Sequence, residues 1–153
     1  MEDIRLILDN IRSVHNVGSI FRTAETVGVT KIYCLGTTPV PVDRFGQKRK
    51  DFAKVALGAE DLVPWEYAKT GVVLVNKLKK QGYNIVALEQ SENSVNFKKI
   101  KKSAKMAFIV GNEVGGVAKS LLRHADQVAE IPMKGKKESL NVAVATGVML
   151  FGV

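Results

Sequence analysis

Three polar segments of this chain combine residue types and spacings that could do chemistry. The first holds Asn10, Arg12, Asn16 and Arg22. Asn16 stands just ahead of Val17, Ile20, Phe21, Ala24 and Val27, an apolar set with helical spacing, where an asparagine can cap a helix. Arg22 falls a little under two turns further on. An amide and a guanidinium near a helix N-terminus could hold a phosphate or a ribose, since the N–H groups and dipole there favour anions. Taken alone, the pair reads more simply as an N-cap and a solvated arginine. The second segment, Gly111-Asn112-Glu113-Val114-Gly115-Gly116, follows the most apolar run of the chain, Met106 to Val110. Its glycine spacing is not that of a dinucleotide fingerprint, and no Gly-Lys-Ser/Thr closes it as a phosphate-binding loop. Glycines at a strand's carboxyl end let a ligand approach the backbone, and Glu113 adds a carboxylate to the same crevice; a tight turn with a surface glutamate is the equal alternative. The third segment runs from Ile131-Pro132-Met133 to Ser139-Leu140-Asn141-Val142. There Ser139 can cap a last helix, with Asn141 in its first turn.

These segments need a scaffold, and the apolar pattern supplies one. Short apolar runs at Ile4–Leu8, Lys31–Leu35, Asn84–Leu88, Met106–Val110 and Gln127–Ile131 read as strands. Helical spacing covers Val17–Val27, closed by Gly28, part of Lys48–Leu57, a stretch within Trp65–Gln81 closed by Gly82, Val117–His124, and the chain from Ser139 onward. Gly36–Gln47 reads as a long loop and Ser91–Lys105 as a polar, lysine-rich connection. Strands alternate with helices, and the strand runs lack a two-residue alternation. This predicts an α/β domain with a mostly parallel sheet covered by helices on both faces. In such sheets ligands bind outside the carboxyl ends of the strands, so the loops after Leu8, Leu88, Val110 and Ile131 are the places to look. The last helix is apolar nearly all round, with Ala143, Ala145 and Gly147 permitting close approach of another backbone, and reads as a subunit interface, with an ordinary core helix as the alternative.

Composition narrows the partners. A chain of 153 residues fits one domain. Its 23 Lys and Arg exceed 15 Asp and Glu, giving a net charge of +8, which points to a polyanion and first to nucleic acid. Of the lysine-rich patches, Lys48-Arg49-Lys50 and Lys134-Lys136-Lys137 adjoin the candidate loops and suit phosphate contacts, whereas Lys98 to Lys105 reads as a solvated face. Cys34 is the only cysteine, and His15 and His124 lie far apart, so neither a disulfide nor a metal site is expected. No stretch approaches a membrane span, and Met1-Glu2-Asp3-Ile4-Arg5 does not read as a leader. The expected location is the cytoplasm.

Together the three segments resemble the SpoU (TrmH-type) branch of the SPOUT superfamily of RNA methyltransferases. Asn16-Val17-Gly18-Ser19-Ile20-Phe21-Arg22-Thr23-Ala24-Glu25 is similar to the first family motif, Phe108-Ile109-Val110-Gly111-Asn112-Glu113 to the second, and Ile131-Pro132-Met133 through Ser139-Leu140-Asn141-Val142-Ala143-Val144-Ala145 to the third. The resemblance implies an α/β fold with a deep C-terminal trefoil knot, S-adenosylmethionine as cofactor, methyl transfer to a ribose 2′-hydroxyl of tRNA or rRNA, and a homodimer whose site is completed across the interface. By the same resemblance Asn16, Arg22, Glu113, Ser139 and Asn141 fall at catalytic or RNA-contacting positions, and Leu88, Gly111, Ile131, Met133 and Leu140 at the cofactor's. Arg12, Lys48, Arg49 and Lys134 are the expected RNA contacts. Residues 1–153 would form one catalytic domain with no appended RNA-binding domain. Two rival readings keep the fold, a catalytically idle RNA-binding module and a base methylase. Intact Arg22, Glu113, Ser139 and Asn141 argue against the first, and the Asn16/Arg22 and Ser139/Asn141 pairs against the second.

Overall fold

The structure, a computed structural model, describes residues 3–153. Met1 and Glu2, on which the leader reading partly rests, lie outside the described residues. Seven parallel strands form one sheet: β1 (Asp3–Asp9), β2 (Lys31–Leu35), β3 (Trp65–Ala68), β4 (Asn84–Leu88), β5 (Val95–Asn96), β6 (Lys105–Gly111) and β7 (Gln127–Glu130). Their order across the sheet is β3-β2-β1-β6-β4-β7-β5. From β1 the chain steps outward through β2 and β3, then crosses to the far side of β6. The carboxyl ends of β1 and β6 therefore flank a switch in winding direction, where an open α/β sheet forms its crevice.

The helices are α1 (Val14–Val27), α2 (Lys50–Ala56), α3 (Ala59–Leu62), α4 (Gly71–Lys80), α5 (Lys119–His124) and α6 (Val142–Gly152). One sheet face buries Leu6, Leu8, Phe108 and Val110 with Phe21, Phe52, Met149 and Leu150 of α1, α2 and α6. The other buries Ile7, Ile109, Ile85 and Ala87 with Leu74, Val75, Leu78 and Leu121 of α4 and α5. Apolar material on both faces is why the central strands show no alternation.

Differences from the sequence reading lie at helix starts and sheet edges. α1 begins at Val14, not Val17, and its cap is Ser13, whose Oγ accepts from the Asn16 N–H at 3.1 Å; Asn16 is inside the first turn. Likewise α6 is capped by Asn141 rather than Ser139: Asn141 Oδ1 accepts from the N–H groups of Ala143 (2.9 Å) and Val144 (3.3 Å). In both places two eligible caps lie close together, and spacing alone did not choose between them. The edge strands β3 and β5, the short α3, and a 3-10 turn at Phe97–Lys99 carried too little apolar pattern to be read. Gly28 closes α1 in the left-handed region at φ 89°, as its position predicted.

Cys34 is fully buried on β2, and burial pushes its thiol up to about 12. Native protein at mildly alkaline pH should therefore leave a disulfide-exchange reagent unreacted, with stoichiometric release appearing only after denaturant is added. Rapid labelling of folded protein would contradict this packing.

Candidate functional site

The carboxyl edge of the sheet is organised around a backbone contact. β6 ends at Gly111, and the chain turns at once through residues 112–116 and lies back against it. A Cβ on Gly111 would sit 2.3 Å from the Gly116 carbonyl carbon and 2.3 Å from the Val117 nitrogen. The close approach that the sequence assigned to a ligand is thus made by the protein's own turn. Asn112 builds that turn: its Oδ1 accepts from Val114 N–H (2.9 Å) and Gly115 N–H (3.0 Å), and its Nδ2 donates to the Asn10 carbonyl at 2.7 Å. Gly116 has φ 70°, and a Cβ there would strike the Glu89 carboxylate.

Two carboxylates hold the exit of the turn. Glu89, just after β4, accepts from the Val117 N–H at 2.9 Å. Asp9, at the end of β1 and nearly buried, accepts from the next N–H, that of Ala118, at 2.8 Å. Successive amides are thereby tied to strands on either side of β6. The entry loop after β1 is tied too: Thr38 Oγ1 accepts from Ile11 N–H (3.1 Å) and donates to the Leu8 carbonyl (3.0 Å).

Glu113 projects from the turn toward α1. It accepts from Asn16 Nδ2 at 3.3 Å and from the N–H groups of Arg12 (3.4 Å) and Ser13 (3.5 Å). Asn16 Oδ1 in turn accepts from Asn141 Nδ2 at 3.1 Å. A polar relay thus runs from the second segment through the first to the third, ending on the α6 cap. Burial pushes the Glu113 carboxyl upward, but donation from its own N–H, the Asn16 amide and the Arg12 and Ser13 backbone outweighs this and holds the group below its ordinary value. A group so depressed stabilises the fold at neutral pH, and the contribution disappears as pH falls through its lowered value. Its contacts are long and solvent-exposed, so that contribution is small.

Beside the relay lies a cleft between the loops after β4, β6 and β7. Leu88, Val110, Gly111, Ile131, Met133, Leu140, Val142 and Ala145 give it apolar walls, and Glu89, Gln90, Glu113, Glu130 and Ser139 give it polar groups. Gln90 Nε2 donates to the Glu138 carbonyl at 2.9 Å, tying the β4 loop to the long loop before α6. All five residues expected at a cofactor line this cleft, as do Glu113 and Ser139; Asn16 and Asn141 join through the relay. Arg22 is not brought in: it is exposed on α1, and its guanidinium has no hydrogen bond or ion pair among the described residues. Arg12 and Lys134 are exposed near the cleft loops. Lys48 pairs with Asp61 at 2.7 Å, and Arg49 grips Asp51 at 2.8 and 3.1 Å, so both arrive with partners of their own.

Asp9, Glu89, Gln90, Asn112 and Glu130 were missed by the sequence reading. The loops after Leu8 and Leu88 had been singled out, and a carboxylate one residue past a strand in such a loop was the available signal. Among the described residues no His, Cys, Asp and Glu cluster could hold a metal ion, and no helix is long and apolar enough to cross a membrane.

Comparison with known proteins gives this geometry a context. The model of the SpoU rRNA Methylase family matches residues 3–151. The chain is 33% identical over 150 residues to the tRNA (guanosine(18)-2′-O)-methyltransferase of Aquifex aeolicus, covering 98% of this chain and 68% of that protein. It is 32% identical to the 23S rRNA (guanosine-2′-O-)-methyltransferase RlmB of Xanthomonas axonopodis, covering 95% of this chain and 56% of that one. The AdoMet-bound rRNA methyltransferase of Sinorhizobium meliloti superimposes with a TM-score of 0.86 at 32% identity, over 98% of this chain and 55% of that structure. The chain thus spans between 55% and 68% of the length of these relatives.

The packing at Gly111 yields a direct test. Gly111→Ala places a methyl inside the turn's backbone, which cannot rotate away, and should cost about 3 kcal/mol or more, the upper range for overpacking. Gly115→Ala is the control, since its Cβ would meet only Asn112 Oδ1, at 3.9 Å. Urea denaturation should show a large loss for the first and little change for the second.

Proposed function

The chain belongs to the SpoU rRNA methylase family, and from that premise we propose that it transfers a methyl group from S-adenosylmethionine to the ribose 2′-hydroxyl of a nucleotide in tRNA or rRNA. The observation that carries this reading is the joining of all three polar segments at one cleft through the Glu113–Asn16–Asn141 relay. The lining fits the cofactor: its apolar walls suit an adenine ring, and Gln90, Glu89 and Glu130 suit hydroxyl and cationic groups. When bound, the sulfonium supplies a methyl group already activated by positive charge.

The protein's own residues have the remaining tasks. Leu88, Gly111, Ile131, Met133 and Leu140 shape the cofactor's seat, Gly111 by admitting the turn that closes it. Ser139, Asn141 and Asn16 form the polar rim at which the ribose is aligned, and alignment is a large share of the rate for an in-line displacement. The 2′-hydroxyl must also lose its proton, which passes to solvent water at the exposed polar rim. Glu113 is the weaker candidate to take it, because it is engaged by the Asn16 amide and the Arg12 and Ser13 N–H groups and its basicity is lowered; its role is to orient Asn16. Arg22 holds the adjacent phosphate and stabilises the charge developing on the oxygen, as a permanently charged planar guanidinium is suited to do.

Arg22 stands outside the cleft of its own subunit, which supports delivery to a second subunit's cleft in a homodimer. Val144, Val148 and Phe151 are 53, 39 and 65% exposed and follow one face of α6, an apolar stripe suited to a second copy. A C-terminal trefoil knot belongs to the same reading. It is supported by the Gln90–Glu138 tie and by the return of α6 against Phe97. Arg12, Lys134 and, once released from their carboxylates, Lys48 and Arg49 contribute the salt-dependent part of RNA binding. The enzyme works in the cytoplasm and needs no metal.

Single-turnover methyl transfer at saturating cofactor and RNA tests the assignments. Arg22→Lys should lower the rate by about 10²-fold or more, the usual loss for one well-placed electrostatic donor, while cofactor affinity holds. Glu113→Gln should cost less. A near-normal Arg22→Lys with an inactive Glu113→Gln would make Glu113 the base. For the assembly, sedimentation of the wild type should give about twice the chain mass, and Val148→Lys should give the monomer and lose activity. An active monomer would remove the shared site.

A further inference from the structure

The loop from Pro41 to Arg49 is a small built hairpin rather than a slack connection. Arg49 N–H donates to the Pro41 carbonyl at 2.9 Å, Val42 and Lys48 form an antiparallel bridge, and Asp43 N–H donates to the Gln47 carbonyl at 2.8 Å. Asp43 Oδ1 also accepts from the N–H groups of Phe45 (2.8 Å) and Gln47 (3.0 Å), folding the tip around one carboxylate. Both ends are anchored. Thr37 N–H donates to Asn10 Oδ1 at 2.9 Å on the entry side, and Phe52 beyond the exit packs edge-on against Phe21 with ring centroids 5.0 Å apart. The hairpin leaves the carboxyl end of β2, so it rises from the same sheet edge as the cleft.

This rigid support presents an aromatic ring to solvent. The chain has six phenylalanines. Phe21, Phe52, Phe97 and Phe108 are buried, and Phe151 lies on the α6 stripe. Phe45, at the hairpin tip, is 74% exposed and touches no core cluster. Its neighbour Arg44 lies over the ring, guanidinium carbon 4.9 Å from the centroid, and makes no ion pair among the described residues. Lys50 and Lys54, exposed on α2 just after the hairpin, add positive charge to this stretch of chain. An isolated ring capped by a free guanidinium and flanked by cations is a poor apolar docking face. It is well matched to a nucleobase, which stacks on an aromatic or guanidinium plane while its phosphates meet the lysines.

We propose that the Arg44–Phe45 tip is an RNA-docking finger that stacks an unpaired base outside the catalytic cleft. This rests on the RNA methyl-transfer reading and names the feature of the RNA it favours: a single-stranded or splayed segment beside the target nucleotide. Stacking tolerates any base, so the finger adds affinity and register rather than sequence choice.

The test uses the full chain and two labelled probes: an oligoadenylate of roughly 12 nucleotides, within the site sizes of such surfaces, and a duplex RNA of the same length. Phe45 is exposed, so its variants should fold as the wild type does. Phe45→Ala should weaken binding of the single strand at least about fivefold, the lower end for one lost stack, leaving the duplex, cofactor affinity and sedimentation unchanged. Phe45→Leu should lose as much, because it keeps apolar area without a π-face. Phe45→Trp should keep affinity and show indole fluorescence quenched by the oligonucleotide beyond that of the wild type. Equal binding by Phe45→Ala, rescue by Phe45→Leu, or a changed sedimentation mass overturns the finger; the last would assign the ring to a protein contact. Wild type that methylates RNA while Phe45→Ala binds normally sinks this inference alone. Wild type that takes up neither RNA nor S-adenosylmethionine sinks the methyl-transfer reading beneath it.

Discussion

Gly111 lacks a side chain because another part of the backbone occupies the space where one would be. That contact, with the Gly116 carbonyl and Val117 amide at 2.3 Å from the missing Cβ, is the constraint from which the rest of the site follows. A chain leaving a parallel strand normally continues away from the sheet. Here it is made to fold back within a few residues, and a fold-back exposes amides that must find acceptors. The Asn112 side chain satisfies two of them inside the turn, and Glu89 and Asp9 satisfy two more at its exit. Because those carboxylates stand just past β4 and at the end of β1, the turn is braced against strands on both sides of β6. Glu113 can then point at α1, where the Arg12 and Ser13 N–H groups and the Asn16 amide meet it.

The winding of the sheet makes the bracing possible. With β1 and β4 on either side of β6, three loops remote in sequence reach one edge within hydrogen-bonding distance. At the opposite edge, where Asp3, Arg5 and Tyr83 form a tight polar cluster, similar residue types face no cleft and serve only to join β1 to the start of β4. Position relative to the switch in winding, rather than residue chemistry, separates the two clusters.

This explains what could be read without coordinates. β2 and β4 are bounded by the residues the apolar pattern predicts, because a strand buried on both faces leaves a continuous apolar run. β3 could not be seen that way: it is an edge strand with Tyr67 exposed and Glu66 half-buried, and its neighbour β2 determines it more than its own side chains do. The five residues assigned to the cofactor's seat come together because each follows a central strand or borders the last loop. Asn16 and Ser139 were displaced as caps by Ser13 and Asn141, near neighbours of equal propensity, a choice made by tertiary contacts. Glu89 and Asp9 were invisible as clamps, since their partners are backbone amides, which every residue has and no sequence motif marks.

The displaced cap at α6 has a consequence for how the site and the assembly are joined. Had Ser139 capped the helix, Asn141 would have been one polar residue among apolar ones. As the cap, Asn141 spends its carbonyl on the Ala143 and Val144 amides and has its NH2 free for Asn16, which hands the connection to Glu113. The start of α6 is thereby fixed by the same relay that orders the polar rim of the cleft, and the helix beyond it carries the stripe from Val144 to Phe151. Any force that shifts α6, including the docking of a second copy on that stripe, acts on Asn141 and through it on Asn16. In the proposed dimer the interface and the polar rim are two ends of one helix: a single subunit holds Asn16 in place through Glu113 and Asn141, and the second copy would supply Arg22.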